Sequence, residues 1–242
     1  TDYTKWGASQ TGDVIDAPGI WHLDNFGNKL IATIADGASF EWDADGSTST
    51  RATLITSAPT ASRLSVVSTP DRHLVYFGTE TTIGTTSTQD DMYIRWSDQE
   101  DINTYTPTAT NTAGTQRIAD GTRIVGAIRG RDAIYVWTDN ALFIMRFVGA
   151  PFTFSFQQVG TGCGLIGKNA AVEVDGSAYW MSDNGFFRYT GKLESLPCLV
   201  EDYVFDDLNT VPKQHINAGL NNLFGEVTWF YPSSSASSIN RA

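Results

Sequence analysis

Ala133–Arg146 (AIYVWTDNALFIMR) and Ala178–Tyr189 (AYWMSDNGFFRY) repeat one pattern, with five positions of the first matched by an identical or similar residue 44 positions later. Two weaker copies occur at Met92–Glu100 (MYIRWSDQE) and Ala38–Gly46 (ASFEWDADG). Each copy consists of an apolar strand, a polar turn and the start of another strand. A period of about 40–45 residues with a Trp/Asp strand-turn unit is typical of four-stranded propeller blades.

Tryptophan and aspartate mark the repeat at the end of the strand and in the turn. In three copies a Trp is followed two or three positions later by an Asp: Trp96 and Asp98, Trp137 and Asp139, Trp180 and Asp183. We interpret these as repeat-defining turn residues.

The pattern predicts an all-β fold, with one β-propeller domain over residues 1–242. We expect blades at about 19–60, 62–107, 114–160 and 164–198, and a partial blade at 216–242. Because the chain ends where further strands of the last blade are expected, we interpret it as a fragment of a longer chain. The alternatives are that the ring closes by a different route or is completed by another segment.

Two segments depart from the strand pattern. Val200–Leu208 (VEDYVFDDL) predicts a short helix, since Val200, Val204 and Leu208 would share one face and two acidic residues occupy the first turn. The Thr-rich insert at residues 79–90 (TETTIGTTSTQD) indicates a surface loop that decorates the second blade.

Net charge and the length of apolar stretches limit the classes of protein to which this chain can belong. The chain of 242 residues has a formal net charge of -11, which argues against a sequence-reading nucleic-acid binder with a basic stripe. The same charge is compatible with a surface that repels DNA phosphate, or simply with solubility. No apolar stretch reaches the roughly 18 residues that a membrane span needs, so no span is predicted.

The N-terminal segment and the two cysteines give no specific indication of function. Residues 2–18 are polar and turn-like, without the apolar core of a signal peptide. Because the chain begins with Thr, we expect it to be processed or incomplete. Cys163 and Cys198 form no metal pattern, and the sequence favours two thiols in a reducing cytoplasm over a disulfide.

Three short motifs have a turn interpretation beside a functional one. Residues 162–167 (GCGLIG) match G-x-G-x-x-G, but a strand pattern follows, so a blade-to-blade connection is favoured over nucleotide binding. Ser182–Gly185 (SDNG) resembles the sialidase Asp box without its spacing, and we interpret it as a turn. Glu41, Asp43 and Asp45 resemble the start of a calcium loop, although Ala52 occupies the place of its bidentate Glu.

No catalytic set is evident, so the sequence predicts no enzyme and no cofactor. The histidines are isolated, and we assign each a structural or surface role; they are His22, His73 and His215. No nucleophile elbow or zinc-protease motif occurs. Four arginines cluster in the third blade and suggest either an anionic partner or strand-flanking charges that discourage edge pairing; they are Arg123, Arg129, Arg131 and Arg146.

From Trp96 onward the chain resembles a family of tailed-phage virion structural proteins. The resemblance rests on residues 96–118, 121–154, 158–189, 196–209 and 226–233. These blocks are similar to propeller-containing tail proteins of the nozzle and head-stabilisation type of short-tailed phages. Residues 1–95 match more loosely, and family members are usually longer.

The resemblance implies a function in assembly. It implies a rigid component of a phage tail or neck, six copies of which form a ring that extends or plugs the DNA exit channel. The implied partners are other virion tail proteins and DNA that passes without sequence-specific binding. The implied location is the virion tail, assembled in the host cytoplasm.

Two other functions fit a propeller. One is a carbohydrate-binding or glycan-cleaving propeller for receptor binding, which predicts an exposed aromatic face in the fourth blade at Tyr179, Phe187 and Tyr189. The other is a scaffold for cellular protein partners, which predicts a patterned top face and no ring symmetry.

Overall fold

The computed structural model describes residues 19–46, 49–69 and 71–242, and the polar segment predicted at residues 2–18 lies outside them. The fold is nearly all-β and propeller-like, with five antiparallel sheets that follow one another along the chain. Within the first four sheets, four strands pair in sequence order. This confirms the predicted fold class.

The sheets have the following strands. The first contains β1 (Trp21–Phe26), β2 (Lys29–Ile34), β3 (Ser39–Asp43) and β4 (Thr53–Leu54). The second contains β5 (Ser62–Ser68), β6 (His73–Thr79), β7 (Tyr93–Trp96) and β8 (Gly114–Arg117). The third contains β9 (Ile124–Arg129), β10 (Ile134–Thr138), β11 (Ala141–Gly149) and β12 (Thr153–Thr161). The fourth contains β13 (Ala171–Val174), β14 (Ser177–Ser182), β15 (Gly185–Tyr189) and β16 (Leu193–Leu196). The fifth described sheet has two strands, β17 (Asn217–Asn221) and β18 (Glu226–Phe230).

The first strand of each sheet lies nearest the centre of the molecule. Along the chain, β1 contacts β5, β5 contacts β9, β9 contacts β13, and β13 contacts β17. Apolar cores fill the spaces between neighbouring sheets, because the strands bury side chains on both faces. Trp137 and Trp180 occupy one such core with ring centroids 5.4 Å apart.

The four sequence copies do not all lie on equivalent strands of their sheets. Trp137 and Trp180 lie on second strands, β10 and β14, but Trp96 lies on β7 and the copy at Ala38–Gly46 contains β3, which are third strands. Asp139 and Asp183 follow second strands, whereas Asp98 follows a third strand. Because neighbouring strands are antiparallel, Asp98 lies at the opposite end of its sheet from the turn that is equivalent to those of Asp139 and Asp183. An apolar strand that ends in Trp before a polar turn suits several strands of a blade, so the motif alone does not identify the strand.

The blade boundaries change for the same reason. Gly114–Arg117, predicted to open the third blade, pairs with β7 and completes the second sheet. The long connection at residues 97–113 therefore lies within that sheet. The first sheet also contains Trp21–Phe26, which was not predicted as a strand.

The predicted helix and insert are both present, but the helix starts one residue later than predicted and the insert is anchored to the body of the protein. Helix α1 spans Glu201–Asp207, so Val200 precedes it and is 57% exposed rather than sharing a buried face with Leu208. The insert at residues 79–90 is anchored by the fully buried Glu80, whose carboxylate accepts a hydrogen bond from the Gly84 N–H at 2.7 Å. No helix in the described part of the chain has the length and apolarity needed to cross a membrane.

Candidate functional site

A cavity of about 290 Å³ opens at the centre of the molecule, where strands from all five sheets meet. Its lining includes His22 from β1, Asn217 from β17, and Lys168 and Asn169 in the connection that leads into β13. Apolar lining comes from the first strands of the second and third sheets. The cavity is therefore created by the packing of successive sheets, since no single sheet supplies more than part of its wall.

Among the described residues, the cavity lining contains one lysine, Lys168, and its charge dominates the site. Burial lowers the pKa of the Lys168 ammonium, and no carboxylate is present in the lining that the described residues form. Burial first, and the charge of Lys168 second, lower the pKa of His22 to about 4. At neutral pH the site therefore combines a cation, a neutral imidazole and side-chain amides.

The depressed pKa of His22 predicts a pH dependence of stability. The unfolded chain takes up a proton at His22 near pH 6.5, whereas the folded chain does so only near pH 4. The unfolded state thus binds more protons in this interval, so stability falls as the pH falls through it. Urea unfolding midpoints measured from pH 7 to pH 4 should decrease more steeply for the wild type than for His22→Asn. His215→Asn, at an exposed histidine, is the control and should retain the wild-type slope; equal slopes for wild type and His22→Asn would contradict the assignment.

A second, wider groove of about 520 Å³ lies at the loops that connect first to second strands. It is lined by Arg129 and Arg131 together with Glu173 and Asp175. Arg129 is paired with Asp24 at 3.2 Å, so part of this charge is satisfied within the protein. The four predicted arginines do not form one patch, because Arg123 lies at the opposite end of the third sheet.

The paired carboxylates of this groove do not match a glycan site. Glu173 accepts a hydrogen bond from the Gly176 N–H, and no aromatic side chain lines the groove among the described residues. The aromatic face predicted in the fourth blade is wrong: Tyr189 is buried, and Tyr179 and Phe187 are half-buried. Tyr189 packs against Tyr135 in the third sheet, and Phe187 stacks on Trp180 with ring centroids 5.8 Å apart.

A hydrogen-bonded chain of acid, imidazole and hydroxyl occurs in the second sheet. The Asp71 carboxylate lies 2.7 Å from His73 Nδ1, and His73 Nε2 lies 3.0 Å from Thr112 Oγ1. This order resembles a nucleophilic triad. However, the Thr112 hydroxyl donates its proton to Asp98 at 2.6 Å, so it has none to give to His73.

Burial also separates this chain of groups from any substrate. The His73 side chain has no exposed surface, and the rings of Phe147 and Phe154 lie 5.7 Å and 5.1 Å from it. We assign the network a structural role in holding the connection at residues 97–113. Sequence reasoning missed it, because Thr112 lies 39 residues from His73 and only the fold brings them together.

The repeat-marking aspartates act as turn-stabilising acceptors. Asp139 accepts from the Thr122 N–H at 2.8 Å and Asp98 from the Thr112 N–H at 2.8 Å. Burial acts to raise the pKa of both carboxyls, but these threonine hydrogen bonds hold it below the usual range. Asp183 instead pairs with Lys213.

The calcium candidate is not assembled. Glu41 binds Lys29 at 2.6 Å, the Asp43 carboxylate accepts from the Asp45 N–H at 3.0 Å, and Asp45 accepts from Asn28. Across residues 19–46, 49–69 and 71–242, no group of three or more His, Cys, Asp or Glu side chains is arranged to hold a metal ion.

The remaining motifs have structural explanations. Gly162–Gly167 follows β12 and precedes β13, without the helix that a dinucleotide site requires. Ser182 pairs with Gly185 across a tight hairpin, which confirms the turn interpretation. Cys163 is buried and Cys198 is half-buried, and both are free thiols as expected.

Comparison with known proteins adds information on the fold. No family model matches the chain, and no curated protein matches it. Among solved structures, it is similar to the crystal structure of the extracellular domain of a putative one-component system from B. thetaiotaomicron, with a TM-score of 0.51 and 13% sequence identity. The match covers 96% of this chain and 28% of that one, so this chain spans less than a third of its neighbour's length. At this identity the likeness concerns the fold alone.

Proposed function

We propose that this chain is a non-enzymatic structural component of a phage tail or neck, of the nozzle or head-stabilisation type. In this role, six copies form a ring in the virion tail around the channel through which DNA leaves. Other tail proteins are its neighbours, assembly occurs in the host cytoplasm, and no cofactor is required. The family resemblance of the sequence from Trp96 onward is the basis for the phage assignment.

The observation that carries an assembly function is an exposed apolar surface at helix α1. This helix α1 surface consists of Leu199, which is fully exposed, Val200, which is 57% exposed, and Tyr203, which is 64% exposed. The opposite side of the helix is anchored, since Phe205 contacts Phe186 with ring centroids 5.8 Å apart. Contiguous exposed apolar patches are typical of protein interaction sites, which supports an assembly function for this surface.

Rigidity and charge also suit this role. Consecutive sheets share apolar cores, which makes the body stiff, and most strand edges are paired within the sheets. The formal net charge of -11 disfavours adsorption to DNA, because adsorption depends on Lys and Arg releasing counterions. DNA can therefore pass such a ring without being retained.

The experiment is to measure the assembly state. Native mass spectrometry and negative-stain electron microscopy of the purified protein should show a closed ring, with six copies expected. The double variant Leu199→Lys/Tyr203→Lys places charges on the helix α1 surface, so the ring should dissociate into smaller species. Val211→Lys is the control, because Val211 is 88% exposed in a turn and neither of its sequence neighbours is an exposed large apolar residue.

Several results would contradict the proposal. A monomer at all protein concentrations would exclude a self-assembling ring. Equal dissociation by the control variant would show that the helix α1 surface is not the interface. Absence of the chain from purified virions, measured by quantitative mass spectrometry of the particles, would exclude the phage assignment.

A further inference from the structure

Lys168 differs from most other basic residues of this acidic protein. Eight of the described lysines and arginines form ion pairs with carboxylates, including Lys29, Arg63 and Lys213. Lys168 has no such partner among the described residues, although it is half-buried in the central cavity. Burial alone accounts for the lowered pKa of its ammonium, without an opposing contribution from a carboxylate.

An unpaired, partly buried cation is costly, because water no longer solvates it fully and no anion replaces that solvation. The acidic composition makes the arrangement more unusual, since the chain has 27 Asp and Glu residues against 16 Lys and Arg residues. The described lining contains amides and an imidazole but no carboxylate.

The other polar groups of the cavity are suited to oxygen ligands. Asn169 and Asn217 supply amide groups, and the neutral ring of His22 supplies one N–H donor. The volume of about 290 Å³ lies just below the usual range for ligand sites, roughly 300–1,000 Å³. The cavity therefore has room for a small anion but not for a long chain or a nucleotide.

We propose that the central cavity binds a small oxyanion, a carboxylate or a phosphate, with the Lys168 ammonium as its charged partner and the nearby His22 and Asn217 side chains as hydrogen-bonding groups. This goes beyond the assembly function and does not depend on it. The anion would connect groups that come from the first, fourth and fifth sheets. Binding would therefore hold the inner strands together.

Isothermal titration calorimetry at low ionic strength tests the proposal, with sodium acetate and inorganic phosphate as separate probes. Saturable binding of one anion per chain is expected for at least one probe, and the probe that binds distinguishes a carboxylate site from a phosphate site. Lys168→Met should lower the affinity by about tenfold or more, since a charge-assisted hydrogen bond is lost. Lys192→Met is the matched control, because Lys192 is exposed in the turn before β16 and should bind as the wild type does.

Thermal unfolding separates loss of binding from loss of folding. Lys168→Met retains the length of the side chain and removes a charge that has no carboxylate partner among the described residues, so without anion it should unfold at a temperature equal to or above that of the wild type. The probe anion should raise the unfolding temperature of the wild type and of Lys192→Met, but not of Lys168→Met. Absence of saturable binding by both probes, or equal binding by Lys168→Met and the wild type, would overturn the proposal.

Discussion

Replacement of Trp180 by alanine should lower the free energy of unfolding by about 3–5 kcal/mol, as expected for truncation of a large core side chain. Trp180 has no exposed surface and lies in the core between the third and fourth sheets. Its ring contacts Trp137, and its Nε1–H donates to the Cys163 carbonyl at 2.8 Å. The substitution therefore leaves a cavity and an unsatisfied carbonyl in the same place.

Trp21→Ala provides the matched control, because Trp21 is 43% exposed on β1. This substitution should lower the free energy of unfolding by roughly 1 kcal/mol, since Trp21 removes less apolar surface from water on folding than Trp180 does. Urea denaturation followed by far-ultraviolet circular dichroism compares the two variants without relying on tryptophan fluorescence. A loss below about 1 kcal/mol for Trp180→Ala would show that this core does not stabilise the sheet contact.

Replacement of Gly164 by alanine should destabilise the protein by about 3 kcal/mol, through overpacking and the loss of neighbouring hydrogen bonds. A Cβ at this position would lie 2.3 Å from the Asp139 carbonyl carbon and oxygen. The adjacent backbone is tied to the same turn, with Cys163 N–H donating to Asn140 O at 3.0 Å and Leu165 N–H donating to Thr138 O at 3.1 Å. The connection between the third and fourth sheets must therefore move away from the turn.

Gly162→Ala tests the explanation within the same motif. Gly162 has a φ of +69° and no atom within 4 Å of a Cβ, so alanine meets conformational strain but no clash. The expected cost is about 1 kcal/mol, close to the penalty for a left-handed residue. Urea unfolding measures the free energy of unfolding of both variants. A larger decrease for Gly162→Ala than for Gly164→Ala would contradict the close approach of the Gly164 and Asp139 backbones as the reason for Gly164.

The central hairpins of the third and fourth sheets, within Ala133–Arg146 and Ala178–Tyr189, could be predicted because their strands are short, apolar and joined by tight turns. Ser182–Gly185 is one such turn, and its four residues specify a hairpin locally. The second sheet could not be divided correctly from sequence. Its fourth strand, Gly114–Arg117, is polar at the exposed positions and follows a long connection, so its pairing with β7 depends on tertiary contacts.

Candidate sites were less predictable than strands. The aspartates after the repeat tryptophans were recognisable as turn residues from their polar neighbours in sequence. Their partners were not predictable, since Asp139 accepts from Thr122 and Asp98 from Thr112, 17 and 14 positions away. The buried residues Asp71 and His73 lie two positions apart in sequence. Their partner Thr112, however, belongs to the connection at residues 97–113. The calcium pattern at Glu41 failed because Lys29, on the neighbouring strand, supplies a closer partner.

The sequence by itself determined the all-β class, the propeller-like succession of sheets and the positions of most strands, because apolar alternation and turn chemistry act over a few residues. Only the tertiary structure decided which strands lie at the centre and what they enclose. His22, Lys168 and Asn217 are separated by up to 195 positions, yet they line one cavity. Their proximity follows from the succession of inner strands, because it depends on every sheet packing against the next, and local sequence carries no information about such a distance.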